Sequence, residues 1–185
     1  MKNLIIAGVS RAGKSTLAKD MAQKYKLTYI PFDSIVSTLE ELYPCTKIAH
    51  YDNNKIISKD IAILLNTFIK HLNYEDINYV IDMYQIYPID LSKILDLNTH
   101  LAIYLGYSSL SSHNKLCDIR KYARDKDWTK NTSDIEMLSI LDKFILEDKM
   151  IKQECKLVNY PYYDTGSDFL MSLQDASRYI DLNIK

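Results

Sequence analysis

The stretch GVSRAGKS, residues 8 to 15, follows directly on the apolar run Leu4-Ile5-Ile6-Ala7 and holds two of the four glycines in the chain. It fits the spacing G-x-x-x-x-G-K-[ST], and each fixed position has a physical reason. Gly8 and Gly13 permit backbone angles that a Cβ would forbid, so successive N–H groups can turn inward. Those amides, with the N-terminus of the helix that follows, form a cradle for the α- and β-phosphates of a nucleotide. Lys14 sets a point charge beside the β- and γ-phosphates, and the Ser15 hydroxyl suits Mg²⁺. Ser10, Arg11, Ala12 and Thr16 complete the loop around the same anion.

The surroundings agree with this reading. Residues 3–7 make a short apolar strand before the loop, and residues 14–25 a helix after it, with Leu17, Ala18 and Met21 on one face. Further strands are expected at 27–30, 79–82, 99–105 and about 156–160. Helices are expected at 34–43, where Pro44 stops the chain, at 55–72, after Pro88, at 134–152 and at the C-terminus. The helix at 55–72 has the clearest apolar stripe, Ile57, Ile61, Leu64, Leu65, Phe68 and Leu72. Ser133 and Glu136 form a capping box at the start of the helix at 134–152. Strands alternating with helices along the whole length predict an α/β fold, a parallel sheet with helices on both faces, because parallel strands need long crossovers.

The chain has 185 residues, 47% apolar and 25% charged, which suits one domain spanning 1–185. A net charge of −1 gives no basic field for nucleic acid or anionic lipid, so neither nucleic acid nor membrane is expected as a partner. The three cysteines, Cys45, Cys117 and Cys155, lack metal-ligand spacing and read as reduced thiols. No apolar run is long enough to span a bilayer, and a cytoplasmic protein is the expectation. The oligomeric state is left open.

Two acids fall at the predicted carboxyl ends of strands, where ligands of open α/β sheets bind. Asp82 closes the run YVID and has the form of a Walker B acid, which serves Mg²⁺. Asp33 follows the second strand, placed to orient an acceptor hydroxyl and take its proton. Each also has the bland alternative of a helix N-cap. Which of the two is base and which serves the metal stays open. Arginine is scarce, four in all, and Arg120 and Arg124 stand i, i+4 apart in a charge-dense segment. On one helical face they would suit a phosphoryl group in transit. The alternative is a solvated helix, with Asp118, Asp125 and Asp127 as neutralising partners.

The loop at 8–16, PFDS at 31–34, YVID at 79–82 and the arginine segment at 116–128 together resemble the small P-loop kinases. That superfamily includes nucleoside monophosphate, shikimate and gluconate kinases. The resemblance implies a three-layer P-loop NTPase fold with a five-stranded parallel sheet in the order 2-3-1-4-5. It also implies a helical lid, about 111–132, that closes over ATP. By the same resemblance, Thr165 and Gly166 border the adenine base.

Between Ser34 and Leu110 there is no arginine to grip an acceptor phosphate. Lys47, Lys55, Lys59 and Arg11 are the candidates to replace one. The expected activity is therefore transfer of the γ-phosphoryl group of MgATP to a hydroxyl of a small metabolite, nucleoside or sugar-like. A nucleoside monophosphate kinase and a non-catalytic ATP-binding switch are the alternatives. Tyr43, Tyr51, Tyr84 and Tyr87 are candidates to line a ring-shaped acceptor's pocket. A GTPase is set aside, since Asp82 is not followed by the D-x-x-G pattern and NKLC at 114–117 lacks the guanine-selecting acid.

Overall fold

The computed structural model describes residues 1–50, 54–123 and 127–185. Five strands form one sheet: β1 (Asn3–Gly8), β2 (Thr28–Pro31), β3 (Tyr79–Asp82), β4 (His100–Gly106) and β5 (Tyr162–Asp164). All pair in parallel, in the order β2-β3-β1-β4-β5. Both the parallel sheet and its strand order match expectation. β1 is central because its residues 4–7 are apolar throughout and buried on both faces. Each Leu or Ile so buried is worth about 1.5–3 kcal/mol against exposure.

Among the described residues seven helices flank the sheet: α1 (Lys14–Tyr25), α2 (Phe32–Leu42), α3 (Asn54–Tyr74), α4 (Pro88–Ser92), α5 (Ser112–Tyr122), α6 (Asp134–Val158) and α7 (Phe169–Asn183). Short 3₁₀ turns lie at Pro44–Thr46 and Trp128–Asn131. α3 buries Ile57, Ile61, Leu65 and Ile69, the stripe its sequence period predicts. α1 packs against α7, and α4 against α6. Ser133 caps α6, its Oγ accepting from the Glu136 amide at 3.3 Å.

One expected boundary is wrong. Residues 156–158 complete helix α6, so there is no strand at 156–160. Asn159, at φ 57°, takes the left-handed turn that ends the helix, its N–H returning to Cys155 O. The last strand is Tyr162–Asp164, and its register on β4 sets Asp164 beside Gly106.

Candidate active site

β1, β2 and β3 are parallel, so their carboxyl ends open on one edge of the sheet. Pairing places Asp82 opposite Ile6 on one side and Pro31 on the other. The phosphate loop leaves β1 on that edge. Gly8 has φ 128°, and a Cβ there would run into the backbone carbonyl of Leu105. Gly13 has φ 93°, and a Cβ would lie 2.8 Å from the Phe169 ring. Arg11 also sits in the left-handed region, at φ 65°, a conformation costing a non-glycine residue about 1–2 kcal/mol. Left-handed residues among extended ones turn consecutive amides to the same side, the geometry of an anion nest.

The first turn of α1 carries no acid, so nothing in the turn itself offsets the positive end of the helix dipole. Lys14 is buried, and its ammonium donates to Val9 O at 2.9 Å, folding back over the loop. A cradle that a Cβ would fill, a helix end without an acid and a buried lysine are what a phosphate tail requires.

Ser15 and Asp82, the expected metal-serving pair, meet at one phenol. Tyr29 donates to Asp82 Oδ2 at 3.1 Å, and the Ser15 hydroxyl lies close to the same phenol. Burial first, then the Asp82 charge, pushes the Tyr29 hydroxyl up to about 12. Asp82 is buried with Oδ1 lacking any donor. That orphaned oxygen, next to a hydroxyl, is a chemically suitable pair of hard donors for Mg²⁺.

Asp33 lies in the first turn of α2, which begins at Phe32 with Pro31 as its cap. It is therefore not an N-cap, and neither is Asp82, since the helix that follows it starts only at Pro88. Burial raises the Asp33 carboxyl above the ordinary aspartate range, and the Asp82 charge adds to this. Lys14, His50 and the Tyr84 amide oppose the shift. Asp33 Oδ1 has no donor. The two acids and Lys14 thus share one electrostatic environment.

Tyr84 stands at the boundary of the loop and a cleft of about 660 Å³. Lys14 Nζ lies 5.7 Å from its ring centre, its amide lies near Asp33, and its ring lines the cleft. Tyr87, Phe144, Trp128, Asn54 and Glu147 line it as well. Of the four candidate tyrosines, Tyr84 and Tyr87 are there. Tyr43 is exposed elsewhere, and Tyr51 lies outside the described residues. Lys55 is taken up by Glu154 and by the Tyr87 ring, 4.4 Å away. Neither Lys47 nor Lys59 reaches the cleft lining.

No protein-family pattern and no curated protein matches the sequence. The structure does match solved ones. It superposes on shikimate kinase from Bacteroides thetaiotaomicron with a TM-score of 0.57 at 13% identity, covering 97% of this chain and 98% of that one. A protein from Eubacterium ventriosum of uncharacterized function matches at a TM-score of 0.53 and 15% identity, covering 98% and 99%. This is the fold of the small P-loop kinases.

Within the P-loop kinase fold, the segment after β4 holds the remaining candidates. Arg120 is committed locally. Its guanidinium pairs with Asp134 at 2.7 Å and donates to the carbonyls of Thr129 and Thr132. It staples α5 to the start of α6, and reaching a phosphate would require giving up these partners. α5 ends at Tyr122; Arg124, expected to share a helical face with Arg120, lies outside the described residues. Arg11 leaves the phosphate loop to form an ion pair with Asp127 and lies 5.9 Å above the Trp128 ring.

Thr165 is buried against the loop, its hydroxyl donating to Gly106 O at 3.0 Å and lying 3.3 Å from Ala12 O. Gly166 follows, its amide held by Asp164. Ser10 is half-buried in the loop, Ala12 fully buried, and Thr16 exposed on α1.

Three residues escaped sequence reasoning. Lys115 of α5 is buried and donates to Arg11 O at 2.9 Å, with burial pulling its ammonium down to about 8. Its one signal is position, on the stripe that also buries Leu116 and Ile119. Glu147 and Asp148 of α6 are buried acids, and only tertiary packing makes them so. Burial pushes Asp148 up to about 7. It accepts from the Tyr107 amide at 2.5 Å and the Tyr162 hydroxyl at 3.0 Å.

Proposed function

We propose that this protein is a phosphotransferase, a small-molecule kinase that moves the γ-phosphoryl group of MgATP to a hydroxyl of a small metabolite. The observation that carries the reading is the placement of Asp33. It is a half-buried carboxylate with one oxygen unpartnered, near Lys14 of the phosphate cradle and near Tyr84, whose ring faces a cleft.

The amides of residues 8–16 and Lys14 hold the phosphate tail. Ser15 and Asp82 would hold a magnesium ion, which would supply positive charge to the transferring group. Asp33 takes the proton of the acceptor hydroxyl as its oxygen bonds to the γ-phosphorus and the bond to the β–γ bridging oxygen breaks, releasing ADP. Residues 111–132 act as a lid of a single domain, with Arg120 and Lys115 fixing its shape rather than touching the acceptor. Thr165 and Gly166 border the base.

A nucleoside monophosphate acceptor is disfavoured because the chain has no arginine from 34 to 110. A non-catalytic switch has one observation in its favour, the ion pair that ties the phosphate loop to residue 127. Nucleotide occupancy at the loop would be felt there directly.

The test is ADP release from MgATP across nucleosides, monophosphates, sugars and small hydroxy acids. Turnover with one class establishes the activity and its acceptor. Silence across all of them, with ATP still bound, leaves the switch.

A further inference from the structure

Glu147 is the group in the cleft that phosphoryl transfer leaves unexplained. It projects from α6 among aromatic rings and is nine-tenths buried. Tyr84 donates to its Oε2 at 2.5 Å, and Tyr87 and Asn54 stand close enough to favour its charged form. Its Oε1 has no hydrogen-bond partner. Asn54, buried to the same degree, has its own Oδ1 without a donor. Two acceptor atoms of one cleft therefore lack hydrogen-bond donors.

Charge points the same way. Among the described residues no cation forms an ion pair with Glu147; Lys14 acts on it only from a distance. The cation that lines the cleft is Lys143, which is exposed at the rim. A buried carboxylate with no counter-charge is costly to keep ionised, and burial does raise the Glu147 carboxyl above its usual range. A carboxylate or phosphate on the acceptor would meet a like charge here. A ligand ammonium would supply both the missing donors and the missing charge, while Tyr84, Tyr87 and Phe144 contact its carbon skeleton.

We propose that the acceptor is an aminated polyol, its ammonium bound by Glu147 and Asn54 and its reacting hydroxyl directed past Tyr84 to Asp33. This rests on the kinase reading for the hydroxyl, but the amine preference stands on the cleft alone. Glu147 is then a specificity-determining residue that selects cationic acceptors and rejects anionic ones.

The test separates binding from turnover. Protein loaded with magnesium and a non-hydrolysable ATP analogue is titrated by ligand-observed NMR with matched sets of amino sugars and aminocyclitols. Each amine is compared with its hydroxyl, N-acetyl and carboxylate counterparts, glucosamine with glucose, N-acetylglucosamine and gluconate among them. The expected result is at least one amine bound about tenfold or more tighter than its counterparts. In Glu147→Gln, with an unchanged melting temperature, that advantage falls to within about twofold. If the variant does not fold, the wild-type ranking decides alone. An acid or phosphate ester as the best ligand, no advantage for any amine, or an advantage that survives Glu147→Gln overturns the proposal. ADP release with the preferred amine is read separately. Amine selectivity without ADP release defeats the kinase reading and leaves the amine site standing. ADP release with an acid as best acceptor does the reverse.

Discussion

Arg11 of the phosphate loop forms an ion pair with Asp127, across from the loop in the segment that follows α5. Asp127 is nearly buried in this pair and Arg11 about one-third exposed, so the link is better protected than a surface pair. Arg11→Ala and Asp127→Ala should each speed amide exchange in residues 112–131. The double variant should show non-additivity on the order of 1 kcal/mol in a thermodynamic cycle. Additive effects would mean the two side chains act independently.

Asp33→Asn keeps the size and the Tyr84 contact but cannot take a proton. Turnover should fall by about 10²–10⁴-fold, the usual worth of a positioned base, with affinity for an ATP analogue within a few-fold. Lys14→Ala should instead raise the dissociation constant of the analogue by more than about tenfold, because the ground-state phosphate contact is lost. Calorimetry beside steady-state kinetics distinguishes the two. Normal turnover in Asp33→Asn removes that residue as base.

Arg120 satisfies one carboxylate and two carbonyls at once, which a single ammonium cannot copy. Arg120→Lys should therefore behave like Arg120→Ala, with faster exchange in α5 and a lower melting temperature. A variant that loses kcat while exchange stays at the wild-type rate would show the guanidinium at the reacting phosphate instead.

Asp148 gives the protein a pH-dependent stability. Its carboxyl titrates at about 7 in the fold, against about 4 unfolded. Between those values the folded chain keeps a proton that the unfolded chain gives up. The stabilisation is thus complete below about pH 4 and is lost as pH rises through 7. Asp33 and Glu147, also raised by burial, slope the same way. Melting temperature should decline from pH 5 to pH 8, and Asp148→Asn should flatten that decline. An unchanged slope in the variant would assign the effect to other groups.

Gly8→Ala should destabilise the fold by several kcal/mol, since the Cβ meets rigid backbone at Leu105 and the φ is closed to alanine. Thermal unfolding checks this. A small effect would mean the loop can move off β4 without penalty.

What could be read from the sequence is what local chemistry decides. Gly8, Gly13, Lys14 and Ser15 announce their geometry because only those residue types permit it, and Asp33 and Asp82 follow from strand ends. The end of the helix at 134–158 is not legible in the sequence because Lys156-Leu157-Val158 suits a strand as well as a helix. The left-handed turn at Asn159 settles the matter, and asparagine alone does not declare it. Lys115, Glu147 and Asp148 were invisible for a different reason. A charged residue on an amphipathic helix reads as surface until another element closes over it. The strand order came from resemblance, since pattern alone predicts a parallel sheet without ranking its strands.

Phe169 and Leu173 of α7 occupy the space beside Gly13, and Asp181 holds Lys24 and Tyr25 at the other end of α1. The wall behind the phosphate loop is therefore made by residues translated some 160 positions after it. A ribosome-bound nascent chain that has synthesised the loop but not residues 169–181 lacks that wall, so the loop gains its packing only late in synthesis.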